Sequence, residues 1–226
     1  LLHSAKMLSM KTEFDEESLI QVTLDLLRTD NWKQDIYFRP TFYKADLGIG
    51  VRLHDIKDEF SIFVMAYEKY VKNDTSAHVT FSSWRRVDDN VIPARAKVAG
   101  AYVNSSLIKS DAVQSGFDEA LVLDHNGHVS EGSAMNIFMV RDGALVTPPI
   151  TDNILEGITR RTVIELARRE LGIDVVERSI DRTEVYIAEE MVFAGTAAGV
   201  TGITKVDHRP VGRGVMGPVT SQLRAL

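Results

Sequence analysis

Between Glu16 and Arg28, apolar side chains recur at Leu19, Val22 and Leu26 and again at Ile20, Leu24 and Leu27. Residues three and four apart share one side of a helix, so this spacing predicts a helix that buries a broad apolar face. The opening, Leu1 to Leu8 (LLHSAKML), reads like the middle of a helix and predicts that a further N-terminal segment belongs to the full protein. Asp35 to Arg39 predicts a short strand halted by Pro40, which has no N–H for a ladder. Ser61 to Tyr67 and His78 to Ser82 predict two more strands. Arg85 to Pro93 (RRVDDNVIP) is polar and ends in proline, which predicts a connection between two domains.

The second half is richer in strands. Ala120–Leu123 and His128–Ser130 flank Asn126-Gly127, and Asn136–Val140 and Ala144–Thr147 flank Asp142-Gly143. Both dipeptides suit the positive backbone angles of tight hairpin turns. From Ile158 to Leu171 the period becomes helical, with Val163, Leu166, Ala167 and Leu171 on one face and Gly172 as the stop. Asp181 and Glu184 have the spacing of a capping box. Val192 and Phe193 lead into the small-residue turn Gly195-Thr196-Ala197-Ala198-Gly199. This mixture predicts an α/β (α+β mixed) protein of two domains: residues 1–85, a connection at 86–95, and residues 96–226.

Composition narrows the chemistry. The 226 residues include no cysteine, which removes disulfides, thiolate metal sites and cysteine nucleophiles and fits a reducing, cytoplasmic setting. A net charge of −6 without a basic run offers nucleic acid no general attraction. No apolar run approaches the roughly 20 residues that span a bilayer. The six histidines show no metal-ligand spacing, so no metal is expected. Neither a Gly-x-Ser-x-Gly elbow nor a dinucleotide fingerprint is present; Gly48-Ile49-Gly50 lacks the third glycine.

Several residues could carry chemistry. Lys97 stands among small residues in IPARAKVAGAY, where a bulky group can approach its amine. Glu131 ends a hairpin strand in VSEGS and could hold a protonated ring nitrogen by a charge-assisted hydrogen bond. Leu155-Glu156-Gly157-Ile158-Thr159-Arg160 begins a helix, whose free N–H groups form an anion site, and Thr159 adds a hydroxyl. Gly195-Thr196-Ala197-Ala198 offers a second nest of N–H groups. Taken one at a time, each also reads as ordinary structure: a surface lysine, a solvated glutamate, a helix cap, a plain turn.

The order of the motifs decides between these readings. IPARAKVAGAY, SEGSAMNIF, LEGITRRTV and FAGTAAGVT, in that order, resemble the motif set of fold-type-IV, pyridoxal-phosphate-dependent aminotransferases, and the resemblance runs over nearly the whole chain. It implies a small α/β N-terminal domain, a larger cofactor-binding domain and a homodimer or higher homo-oligomer. It also implies that Lys97 carries pyridoxal phosphate covalently and moves the substrate proton. Glu131 would hold the ring nitrogen, Tyr102 the ring 3-oxygen, Ile158, Thr159 and Thr196 the phosphate, and Leu155 would pack against the ring. Tyr37-Phe38-Arg39-Pro40 resembles the Tyr-x-Arg motif of the branched-chain amino acid aminotransferases. That implies amino acids and 2-oxo acids as partners: Tyr37, Thr196 and Ala197 toward the substrate α-carboxylate and Arg39 toward the distal carboxylate of glutamate or 2-oxoglutarate. In the family a further arginine for the phosphate lies upstream of the position that corresponds to Leu1. The same motifs also serve D-amino acid or (R)-amine aminotransferases and aminodeoxychorismate lyases, and Tyr37 and Arg39 argue against those. A truncated, cofactor-free binding protein is the non-enzymatic alternative.

Overall fold

Helix α1 (Leu2–Met7) is followed by helix α2 (Glu16–Asp30), whose start is fixed reciprocally. The Asp15 carboxylate accepts from the Ser18 N–H at 2.8 Å while the Ser18 hydroxyl accepts from the Asp15 N–H at 2.9 Å. The expected apolar face is narrower than the sequence suggests, because Leu19, Val22 and Leu26 are half-buried while Ile20 and Leu24 are exposed. Strand β1 (Ile36–Lys44) pairs antiparallel with β2 (Asp58–Ala66). The strand expected to stop at Pro40 therefore runs through it, with Pro40 opposite Ile62. A two-stranded ribbon leaves alternate N–H groups pointing away from the partner, and a proline is tolerated in such a place.

The computed structural model describes residues 1–67, 71 and 73–226. Contacts divide it into residues 1–68 and residues 69–226. The division expected at residue 85 falls earlier because β3 (Ala77–Arg85) hydrogen-bonds within the second unit. That unit continues through a 3-10 turn (Ala99–Ala101), α3 (Tyr102–Gln114), β4 (Glu119–Leu123), β5 (Val129–Gly132), β6 (Asn136–Arg141), β7 (Ala144–Thr147) and α4 (Ile158–Arg169). It closes with β8 (Val175–Glu177), a 3-10 turn (Glu184–Ile187), β9 (Glu190–Gly195), β10 (Gly199–Val206), β11 (Arg209–Pro210) and α5 (Pro218–Ala225). The strands form one mixed sheet in the order β5-β4-β3-β10-β9-β6-β7-β8, with β11 on β10. Strand β3 runs parallel to both β4 and β10, and most other pairs are antiparallel.

Both faces of this sheet are covered, and the period-2 alternation of its central strands sorts the side chains. Ile137 and Met139 of β6, with Met191 and Phe193 of β9, enter one core. Phe138, Val140, Val192 and Ala194 enter the other, against Val163, Ile164 and Ala167 of α4 and Leu223 of α5. Ile108 and Ala112 of α3 close over Ala120 and Val122 of β4.

Turn chemistry is met in one hairpin and modified in the other. Asp142 and Gly143 both take positive φ, 51° and 76°, as a two-residue turn between β6 and β7 requires. At Asn126-Gly127 only Gly127 does so; the Asp124 carboxylate closes this loop by accepting from the N–H groups of Asn126 and His128 at 2.9 Å each. The capping box expected at Asp181 and Glu184 is absent: no side chain caps that 3-10 turn, and Glu184 pairs with Arg178 instead. No helix among the described residues is long and apolar enough to cross a membrane.

Helix α5 is capped from across the fold. The buried Glu190 carboxylate on β9 accepts from the N–H groups of Val219 and Thr220 at 3.0 and 2.8 Å and from the Thr220 hydroxyl at 2.7 Å. Removing it strands three donors at a helix start. Glu190→Ala is expected to lower stability by about 2–3 kcal/mol, read from urea unfolding, whereas a cost within about 0.5 kcal/mol would mean that water replaces the carboxylate.

Candidate active site

Glu131, the last residue but one of β5, has its side chain almost fully enclosed. Its Oε1 lies 2.9 Å from Arg86 Nη2. Its Oε2 accepts from the Leu155 N–H at 3.1 Å and the Asn136 side-chain amide at 3.2 Å. Burial pushes the Glu131 carboxyl up, against the opposing pull of the Arg86 guanidinium, the Leu155 N–H and the charge of Lys97. Each carboxylate oxygen can accept two hydrogen bonds, and Oε1 carries the Arg86 guanidinium.

Asn136, the first residue of β6, joins the surrounding elements. Its amide also donates to the Leu155 carbonyl at 2.9 Å. Gly157, which starts α4, lies so close that a side-chain carbon there would overlap Asn136 Oδ1. Glycine is required here by close approach, since its φ of −67° is open to any residue. No side chain caps α4, so the N–H groups of its first turn, at Ile158 and Thr159, face outward as an anion site. Ile158 is exposed and Thr159 half-buried. On the other side of Asn136, Ala194 of β9 is its register partner, and Gly195 rests on Met135. The turn bearing Thr196 and Ala197 therefore follows directly from the strand beside Asn136, with Thr196 exposed and Ala197 half-buried.

The segment expected to link two domains is instead a wall of this site. Arg86 Nε donates to the Asn153 carbonyl at 3.2 Å, and the Asp89 N–H donates to Asn153 Oδ1 at 3.2 Å. Arg95 pairs with Glu156 at 2.9 Å, and the Ala94 N–H donates to Asp89 Oδ1 at 2.8 Å. These bonds tie residues 86–95 to the strand-to-helix segment 152–156 and so set the place of Lys97 just beyond. Lys97 is exposed, its Nζ is 5.5 Å from the centre of the Tyr102 ring, and Tyr102 opens α3.

The structure thus brings Glu131, Leu155 and the start of α4 onto Asn136, sets Lys97 beside Tyr102 with its charge acting on Glu131, and leads the turn of Thr196 and Ala197 from the strand beside Asn136. Tyr37 and Arg39 belong to the first unit, on one face of β1. There the Arg39 guanidinium donates to the Tyr37 hydroxyl at 3.3 Å and lies 5.4 and 5.8 Å from the Tyr37 and Phe63 ring centres. Arg86, Asn136 and Asn153 escaped the sequence reading. Asn136 had a usable signal, a lone amide at the head of the apolar run NIFMV, because a buried amide must find partners. Arg86 had none, since its partner is 45 residues away on a different element.

The donor set fits pyridoxal phosphate. It offers an accessible amine, an enclosed carboxylate, and an uncapped helix start beside a hydroxyl, which match a carbonyl, a ring nitrogen and a phosphate.

Residues 1–206 match the family model described as amino-transferase class IV. The chain is 44% identical over 224 residues to a "Probable branched-chain-amino-acid aminotransferase" of Aquifex aeolicus, covering 99% of this chain and 72% of the relative. The branched-chain aminotransferase of Thermoproteus uzoniensis with norvaline superimposes with a TM-score of 0.94 at 39% identity, over 100% of this chain and 74% of that one. The branched-chain amino acid aminotransferase of Thermobaculum terrenum in its PLP form gives 0.92 at 40% identity, over 99% and 73%.

Breaking a buried ion pair from one side leaves the other charge uncompensated. Arg86→Met is expected to cost about 3–5 kcal/mol near neutral pH. Without Arg86 the folded-state carboxyl of Glu131 titrates still further above its unfolded value. The unfolded glutamate is the same in both proteins, so the penalty should shrink as pH falls through the variant's raised titration, where the carboxyl becomes neutral and no longer needs the guanidinium. Urea unfolding at pH 5 and pH 8 checks this; a penalty independent of pH would remove Glu131 as the cause.

Proposed function

We propose, from the premise that this chain belongs to the class IV amino-transferase family, that it catalyses reversible amino-group transfer between branched-chain L-amino acids and 2-oxoglutarate, with Lys97 as its catalytic residue. The observation that carries this reading is the enclosed Glu131 carboxylate, fixed by Arg86, Asn136 and the Leu155 N–H on the same side of the fold as Lys97 and the uncapped start of α4. The names of the similar proteins support the substrate class.

Pyridoxal phosphate, when bound, supplies a carbonyl that exchanges amino groups and a ring that draws electron density from the substrate α-carbon. Lys97 would hold that carbonyl through its amine, and its Nζ would be the base and acid that moves the substrate α-carbon proton. Glu131 would hold the ring nitrogen. Arg86 opposes the rise that burial gives the Glu131 carboxyl, and the Leu155 N–H with Asn136 fixes the carboxylate's direction. Ile158, Thr159 and Thr196 would hold the phosphate, Tyr102 the ring 3-oxygen, and Leu155 would pack against the ring. Tyr37, Thr196 and Ala197 serve the substrate α-carboxylate and Arg39 the distal carboxylate, for which a planar guanidinium is suited. The enzyme works in the cytoplasm as a homodimer or higher homo-oligomer.

Borohydride reduction of the loaded enzyme followed by peptide mapping should place the pyridoxyl group on Lys97; its recovery on a different lysine would overturn the assignment. The substrate reading has its own check. Arg39→Ala should weaken 2-oxoglutarate and glutamate by about tenfold or more in kcat/KM while leaving leucine little changed, because leucine has no distal carboxylate to lose a partner. Equal losses on all three would make Arg39 structural, and turnover of D-alanine without leucine would move the enzyme to a D-amino acid class.

A further inference from the structure

Behind the Glu131 site, three side chains from separate parts of the chain converge. Asp124 closes the turn between β4 and β5, His128 stands at the far side of that turn, and Asp152 precedes the segment that carries Asn153 and Leu155. One ligand atom from each lies within 4.8 Å of the other two. Asp124 and Asp152 are buried and His128 is half-exposed.

The carboxylates are not balanced by protein cations. No lysine or arginine side chain pairs with either among the described residues. His128 lies 3.7 Å from the exposed Asp181, and the Arg85 guanidinium reaches the Asp124 backbone carbonyl at 3.3 Å. Asp124 Oδ1 is engaged by two backbone N–H groups, whereas its Oδ2 has only the Asn126 amide at 3.5 Å. Asp152 is held in place: its carbonyl accepts from the Ser130 hydroxyl at 2.7 Å and its carboxylate has the Ser179 side chain as a partner. Its Oδ2 is nonetheless buried with no hydrogen-bond partner, although the residue is only 6% exposed. An enclosed carboxylate oxygen without a partner, facing a second carboxylate, is costly unless a cation joins them.

We propose that Asp124, His128 and Asp152 bind one divalent transition-metal ion. Ligand atoms about 2.0–2.2 Å from a common ion stand roughly 3–4 Å apart, so small side-chain rotations complete the set. Two carboxylates and one imidazole favour zinc or manganese over magnesium or calcium, which prefer oxygen alone. The half-exposed side of His128 leaves water the remaining positions. Such an ion fastens the β4–β5 turn to the segment whose Leu155 N–H directs Glu131.

The test uses the pyridoxal-phosphate-loaded enzyme after chelator treatment, dialysed to equilibrium against Mn2+ or Zn2+ and assayed for bound metal. The wild type should take up one ion per chain and unfold at a higher temperature with saturating Mn2+. His128→Gln and Asp152→Asn should each weaken binding at least tenfold and lose the thermal shift. Asp152→Asn should fold at least as well as the wild type without metal, since it removes a buried charge. Should it fail to fold, His128→Gln, at a half-exposed position, decides alone. An unaltered affinity in either folded variant, or a wild type that binds no ion, overturns the proposal.

Discussion

The second unit is organised around one buried carboxylate, Glu131. Glu131 lies where water cannot reach it, so each of its partners is placed by a different element: Arg86 by the end of β3, Asn136 by the start of β6, and the Leu155 N–H by the run into α4. Unpaired, a carboxylate in such a place would take up a proton and could no longer act as an anion. Satisfying it therefore fixes the relative positions of three chain segments. The same arrangement carries Lys97, because the segment from Arg86 to Arg95 is pinned to Asn153 and Glu156 on its way there.

The sheet makes this placement rigid. Central strands β6 and β9 are apolar on both faces, so neither can slip by one residue without exchanging two cores. Asn136 opposite Ala194 is part of that register, which locks the amide beside Glu131 and brings the Thr196 turn alongside. Glycine serves the same end at position 157: the start of α4 can approach Asn136 only because nothing projects from that carbon. A helix start left uncapped costs some stability, and it is left so where its N–H groups can receive an anion.

Long-range carboxylate bonds recur across the unit. Glu190 caps α5 from β9. Asp207 is pushed up by burial, yet the Tyr186 and Thr80 hydroxyls, the Phe81 N–H and Arg182 together hold its carboxyl below the usual range. Each joins elements far apart in sequence, so these acidic residues tie the unit together in a way that net charge alone does not reveal.

Local patterns were legible wherever the cause was local. The 3.6-residue period of α4 with its glycine stop, the Asp142-Gly143 turn and the alternation in β6 and β9 all follow from a few neighbouring residues. The ordered motifs also carried the family. Pro40 misled because whether a strand can hold a proline depends on whether that N–H faces a partner, which sheet topology decides. RRVDDNVIP read as a linker because its polar groups find partners 45 to 67 residues away, at Glu131 and Asn153. Glu184 left its capping role for Arg178 because tertiary contacts outweigh a local spacing. By itself the sequence determined the elements, the motifs and the types of chemistry available, since these depend on residue identity and short spacing. Only the tertiary structure decided that Arg86 and Asn136 hold Glu131, and that Asp124, His128 and Asp152 meet, because desolvation and close approach arise only when distant segments are brought together.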